Sequence, residues 1–136
     1  SYAAGLTTNF TFSEKSEFGV PEQIEWIKKY GEEYKKVRPY MSCDMYQLTD
    51  FTDSNTAWAA AQYNSPETRD GIVQVFRRPD SPCTCASFTL RGLDKNKTYV
   101  FTDADDGSEI TLKGSEEFEV KINKKRTAKL YFYRAQ

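Results

Sequence analysis

Phe118-Glu-Val-Lys-Ile122 and, after the polar break Asn123 to Arg126, Ala128-Lys-Leu-Tyr-Phe-Tyr133 decide the fold. In the first run Phe118, Val120 and Ile122 fall on one face, with Glu117, Glu119 and Lys121 on the other. In the second, Ala128, Leu130 and Phe132 alternate with Lys129, Tyr131 and Tyr133. A period of two marks a strand with one covered face. The two runs therefore read as a hairpin with one wet face, and Tyr131 and Tyr133 are expected on its outward side.

Upstream, Gly71-Ile-Val-Gln-Val-Phe76 and Thr56-Ala-Trp-Ala-Ala-Ala61 are almost continuously apolar, the pattern of central strands covered on both sides by a second layer. Further strands are expected near Cys43–Leu48, Cys85–Arg91, Thr98–Thr102 and Glu109–Leu112, with the central pair extending over Thr56–Tyr63 and Gly71–Arg77. Turn chemistry separates them: Asp53-Ser54-Asn55, Asn64-Ser65-Pro66, Arg78 to Pro82, Gly92-Leu93-Asp94, Asp106-Gly107 and Gly114-Ser115. About eight short strands at this spacing predict a mainly β protein, an antiparallel β-sandwich of Greek-key type.

Ahead of Pro39 the period changes. Ile24, Ile27, Tyr30, Tyr34 and Val37 form one stripe of an amphipathic helix over Pro21–Arg38. Pro21 suits its first turn, Glu22 and Glu25 the positive end of the dipole, and Lys35, Lys36 and Arg38 the negative end. Pro39 disfavours continuation. Before the helix, Leu6 to Phe12 reads as one strand without a partner, as the tail of a preceding domain would.

The chain has 136 residues, enough for one domain, and nine Tyr, nine Phe and two Trp give it core area despite a hydrophobic share of 38%. Its 19 basic and 20 acidic residues nearly cancel, so no field argues for nucleic acid or an anionic membrane as partner. No apolar run approaches a membrane span. Histidine is absent, which removes Ser-His-Asp and Cys-His nucleophiles and His-based zinc sites. Cys43, Cys83 and Cys85 are an odd set, read as reduced and partly buried thiols, with a bond from Cys43 to one of the others as the alternative. Three thiols lack the fourth ligand of a closed zinc site, so no metal and no cofactor are expected.

Asp103-Ala-Asp-Asp-Gly107 fails the register of a calcium loop and reads as a hairpin closed by the two-residue turn Asp106-Gly107. Asp44, Asp50, Asp53 and Asp103 flank strand ends without the spacing that identifies a glycosidase pair. Arg77 and Arg78 are expected to pair with a strand-end Asp rather than grip an anion. A sugar-stacking platform would draw on Trp58, Tyr131 and Tyr133, with Trp26 and Tyr63 beside them. Trp58, set among alanines, fits the core better.

Several stretches, taken in order, resemble the end of α-galactosidase-like enzymes of glycoside hydrolase family 36 and its relatives. They are Tyr34-Lys-Lys-Val-Arg-Pro-Tyr40, Tyr46-Gln-Leu-Thr49, Ala57-Trp58, Gln62-Tyr63, Gly71-Ile-Val-Gln-Val-Phe-Arg-Arg78, Leu90-Arg-Gly-Leu-Asp94, Tyr99-Val-Phe-Thr-Asp103 and Leu130-Tyr-Phe-Tyr-Arg134. The resemblance implies that residues 1–40 are the remnant of a (β/α)8 barrel, with 21–38 its last helix, and that 41–136 are the sandwich following it. The catalytic aspartate motifs of that family have no counterpart in these residues, so no catalytic residue is carried over. The resemblance implies a non-catalytic accessory domain whose partner is the catalytic barrel of the same chain. The different-class reading is an autonomous carbohydrate-binding module. An unpaired helix stripe would also favour self-association through the helix face.

Overall fold

Pro39 acts on the chain as its ring requires. In the computed structural model, which describes residues 21–136, helix α1 spans Pro21–Val37 and then tightens into a 3-10 turn, Arg38–Ser42. The strand expected at Leu6 to Phe12 lies outside the described residues. Eight strands follow: β1 Asp44–Gln47, β2 Trp58–Ser65, β3 Asp70–Arg77, β4 Cys85–Phe88, β5 Thr98–Asp103, β6 Glu109–Lys113, β7 Phe118–Lys121 and β8 Thr127–Ala135. Six form one sheet in the order β1-β2-β3-β8-β5-β6, and β4 with β7 forms a second, smaller sheet. Every pairing is antiparallel, so the described residues form the expected antiparallel β-sandwich with a helix before it.

The pairing of the last two strands differs from the expected hairpin. β7 pairs with β4, setting Phe118 opposite Phe88, whereas β8 lies between β3 and β5. The segment joining them crosses from one sheet to the other, and Arg77 fastens it. This guanidinium, on a residue only 4% exposed, donates to the carbonyls of Ile122 (2.8 Å), Asn123 (2.7 Å) and Ser81 (3.0 Å). Arg78 donates in the same way to the carbonyls of Thr52 and Ser54. Neither arginine pairs with an aspartate, because loop carbonyls take their protons first.

The core lies between the sheets. Trp58 and Ala60 of β2, Val73 and Val75 of β3, Tyr99 and Phe101 of β5, and Tyr131 and Tyr133 of β8 meet Phe88, Phe118, Val120 and Ile122 from the smaller sheet and its flank. Phe101 stacks on Phe118 with centroids 4.8 Å apart, and Tyr131 meets Phe118 edge-on at 5.0 Å. The large sheet's other face carries Ile72, Ala128 and Leu130, covered by Val37 at the end of the helix. The rest of the helix stripe is less covered: Tyr30 and Tyr34 are half-buried and Ile24 is 44% exposed.

Candidate functional site

Position in the sheet, rather than alternation, decides where the candidate aromatics lie. β8 has a strand on each side and a layer on each face, so both of its side-chain rows are covered. Tyr131, opposite Val73, and Tyr133, opposite Gly71, point into the main core and are 6% and 2% exposed. This corrects the expectation that they face outward. Lys129, which shares their row, gave it the look of a wet face. Its ammonium instead pairs with Asp103, itself 3% exposed, at the end of β5. Burial opposes the Lys129 charge, but the hydrogen bond and charge of Asp103 outweigh it and hold the Lys129 pKa above its ordinary value.

Trp58 is in the core as expected, its indole N–H donating to the Cys83 carbonyl at 3.2 Å. Tyr63 is half-buried on the opposite face of the sheet, and Trp26, 44% exposed, sits edge-on to Tyr30 on the helix. These five rings are divided among the core, the opposite face of the sheet and the helix. Sugar stacking needs exposed ring faces, which Trp58, Tyr131 and Tyr133 do not present in this fold.

The other candidates disperse as well. Asp44, Asp50 and Asp53 are exposed, and Asp103 is taken by Lys129 and by the Asp105 N–H. The β5–β6 hairpin forms where expected, but its loop holds residues 104–108 rather than two. Gly107 takes the left-handed conformation (φ 73°) and donates to the Asp103 carbonyl, and the Asp106 carboxylate accepts from the Ser108 N–H. That hydrogen bonding to Ser108 holds the Asp106 carboxyl below its ordinary pKa. Two loop carboxylates are thus committed to turn amides. Among the described residues, no three His, Cys, Asp or Glu converge as metal ligands. All three cysteines are unpaired; Cys43 is half-buried, whereas Cys83 and Cys85 are exposed, contrary to the expectation of partial burial.

What the sequence residues do assemble is a buried polar knot. The Tyr133 hydroxyl donates to Asn64 Oδ1 (2.7 Å) and accepts from Gln62 Nε2 (2.9 Å). Gln62 also exchanges two bonds with the Arg91 backbone (2.8 and 2.9 Å), and the Asn64 amide reaches the Gly92 carbonyl at 3.4 Å. Gly71 makes this possible, because a Cβ there would overlap the Tyr63 carbonyl and lie 2.5 Å from the Tyr133 hydroxyl. The knot ties the loop after β4 to the centre of the large sheet. Gln62, Gly71, Arg91, Gly92 and Tyr133 all belong to the stretches that carry the family resemblance. Their joint service is to architecture, since Gln62 and Asn64 are 0% and 2% exposed. Sequence reading missed the knot because its members are remote in the chain; the one signal was polar residues inside otherwise apolar strands.

Two depressions that share Thr102 and Phe132 in their linings lie between the helix segment and the large sheet. One, of about 330 Å³, lies among Tyr40, Asp70, Val100, Phe132 and Arg134. There Tyr40 donates to Asp70 Oδ2 at 2.8 Å, and burial followed by that hydrogen bond pushes the Tyr40 pKa up to about 12. The other, of about 470 Å³, runs between Lys29, Glu33 and Lys36 of the helix and Thr102, Ala104 and Phe132. Burial raises the Glu33 pKa there. Glu32 and Glu33 of the helix and Asp103 of the sheet line this second depression, but Asp103 is held by Lys129 and the Asp105 N–H, and Glu32 by Lys35.

No family model matches the chain, and no curated protein matches it significantly. Among solved structures, the GH36 α-galactosidase AgaA from Geobacillus stearothermophilus, crystallised with raffinose, matches with a TM-score of 0.68 over 89% of this chain at 17% identity. The match spans 17% of that enzyme's chain. The described residues thus share the fold of one small part of a much longer GH36 α-galactosidase.

Proposed function

We infer that this chain is the accessory β-sandwich domain of an α-galactosidase-like glycoside hydrolase, non-catalytic by itself. In this reading residues 21–38 are the last helix of the catalytic barrel and 41–136 the sandwich that packs against it. The observation that carries it is the fold match to a 17% portion of a GH36 α-galactosidase. The helix adds support. Its apolar stripe is fully buried only at Val37, and the half-exposed Ile24 end suits a helix shared with a neighbouring unit.

The domain's work is then mechanical: it covers barrel surface and braces the last helix, while catalysis belongs to the barrel. The test is the intact mass of the native polypeptide containing this segment in its source cells. A species several times 15.7 kDa is expected, and one near 15.7 kDa overturns the reading. In parallel, the chain alone is expected not to cleave an aryl α-galactoside. Turnover that co-purifies with the chain to homogeneity would assign it chemistry of its own.

A further inference from the structure

The most exposed large hydrophobic side chain among the described residues is Phe51, at 93%. It sits on a built loop. Arg78 clamps that loop through the Thr52 and Ser54 carbonyls (2.8 and 2.7 Å), the Ser54 N–H donates to Thr52 Oγ1, and the Asp80 N–H holds the Asn55 carbonyl. A phenyl ring held in water on a fastened loop buries nothing in this chain. Such anchors dominate interfaces when they meet an apolar socket.

A socket lies on the same rim. It is a shallow, open depression of about 420 Å³ lined by Phe76, Pro79, Thr127 and the buried Ala128 together with Arg77, Arg78 and Arg126. Charge agrees with shape: Asp50 and Asp53 flank Phe51 in the chain, while Arg78 and Arg126 line the socket, with Lys124 and Lys125 preceding Arg126 in sequence and Asp80 the one acid beside Pro79. Arg77 lines the depression too, but its guanidinium is turned inward to three carbonyls. Arg78 both holds the knob's loop and lines the socket, so the two lie on one rim, and reciprocal insertion between two copies would pair knob with socket twice. This is the self-complementarity a closed dimer needs. A net charge of −1 opposes the approach of a second copy only weakly.

We propose that the Thr49–Asn55 loop and the Phe76–Pro79–Ala128 socket form a reciprocal dimer interface, with Phe51 of each copy seated in the socket of the other. No helix residue lines the depression, although Phe76 and Ala128 belong to the cluster that Val37 covers, and the proposal does not rest on the accessory-domain reading.

The test uses the full 136-residue chain. Sedimentation velocity from about 10 to 500 µM is expected to show the mean mass rising from that of the monomer toward twice it, less steeply at high salt. Phe51→Ser is expected to weaken association at least tenfold while leaving the melting curve unchanged, because the side chain touches little. A benzophenone amino acid in place of Phe51 is expected to crosslink, on irradiation, to residues 76–79 or 126–128 of a second copy. A chain monomeric throughout the range overturns the proposal. So does association indifferent to Phe51→Ser, or a crosslink mapping to the helix around Ile24.

Discussion

Replacing Tyr133 by Phe removes one oxygen from the buried knot and nothing from its packing. Asn64 Oδ1, on a residue 2% exposed, loses its 2.7 Å donor, and Gln62 Nε2 loses its 2.9 Å acceptor while keeping the Arg91 carbonyl. A stranded buried acceptor and an amide proton that loses its partner cost about 1 kcal/mol each, so the variant is expected to lose about 2 kcal/mol. That corresponds to a midpoint shift of about 1 M in urea at unchanged slope, or about 6–10 °C in Tm. Urea titration followed by fluorescence of the buried Trp58 measures it. Tyr63→Phe serves as control, since the Tyr63 hydroxyl makes no hydrogen bond among the described residues, and its cost should stay within about 0.5 kcal/mol. A double-mutant cycle with Asn64→Ala should return a coupling of about 1 kcal/mol. A Tyr133→Phe variant as stable as the parent, or strictly additive with Asn64→Ala, would refute the knot as a load shared by these residues.

Gly71→Ala drives a methyl into the Tyr63 carbonyl and the Tyr133 hydroxyl, and is expected to cost about 3 kcal/mol by the same titration. Lys129→Met leaves the buried Asp103 without its cation and should cost about 2 kcal/mol, whereas adding Asp103→Leu should recover at least half; a double variant worse than the single one contradicts the pairing. Tyr40, Tyr131 and Tyr133 hold their protons above the ordinary pKa of 10.0, chiefly through burial, and Tyr40 does so up to about 12. With folded values raised, this stabilisation is complete below pH 10 and drains away as pH climbs through 12. Absorbance at about 295 nm should therefore show these tyrosines ionising together with loss of the circular dichroism signal; ionisation near the ordinary tyrosine value in a still-folded chain would contradict it.

Much of the architecture was legible because each element announces itself locally. The stripe Ile24 to Val37 and the stop at Pro39 are a helix in any context, and all eight strands fall within a few residues of their expected spans. Pairing was not legible. Alternation in Phe118 to Ile122 states that the run is a strand with one covered face, but gives no account of its neighbour. A short break before Ala128 favours a hairpin until the buried Arg77, remote in sequence, proves to hold that break across the sandwich. The candidate rings failed for a related reason. Lys129 made the Tyr131–Tyr133 row look wet, and only Asp103, twenty-six positions away, explains how an ammonium is tolerated there. Short-range patterns carry secondary structure; the faces of a central strand depend on partners that the pattern does not contain.

Chain order gives the central place of β8 a kinetic meaning. It is the latest of the eight strands to leave the ribosome, yet it alone joins the β1-β2-β3 meander to the β5-β6 hairpin. Until it arrives, β3 and β5 each present an open edge of backbone donors and acceptors. At about 5–20 residues per second, several seconds separate the emergence of β3 from that of β8. A nascent chain must therefore carry two unsealed half-sheets through that interval, and any translational pause within it prolongs the time during which chaperones, or another nascent chain, can reach those edges first.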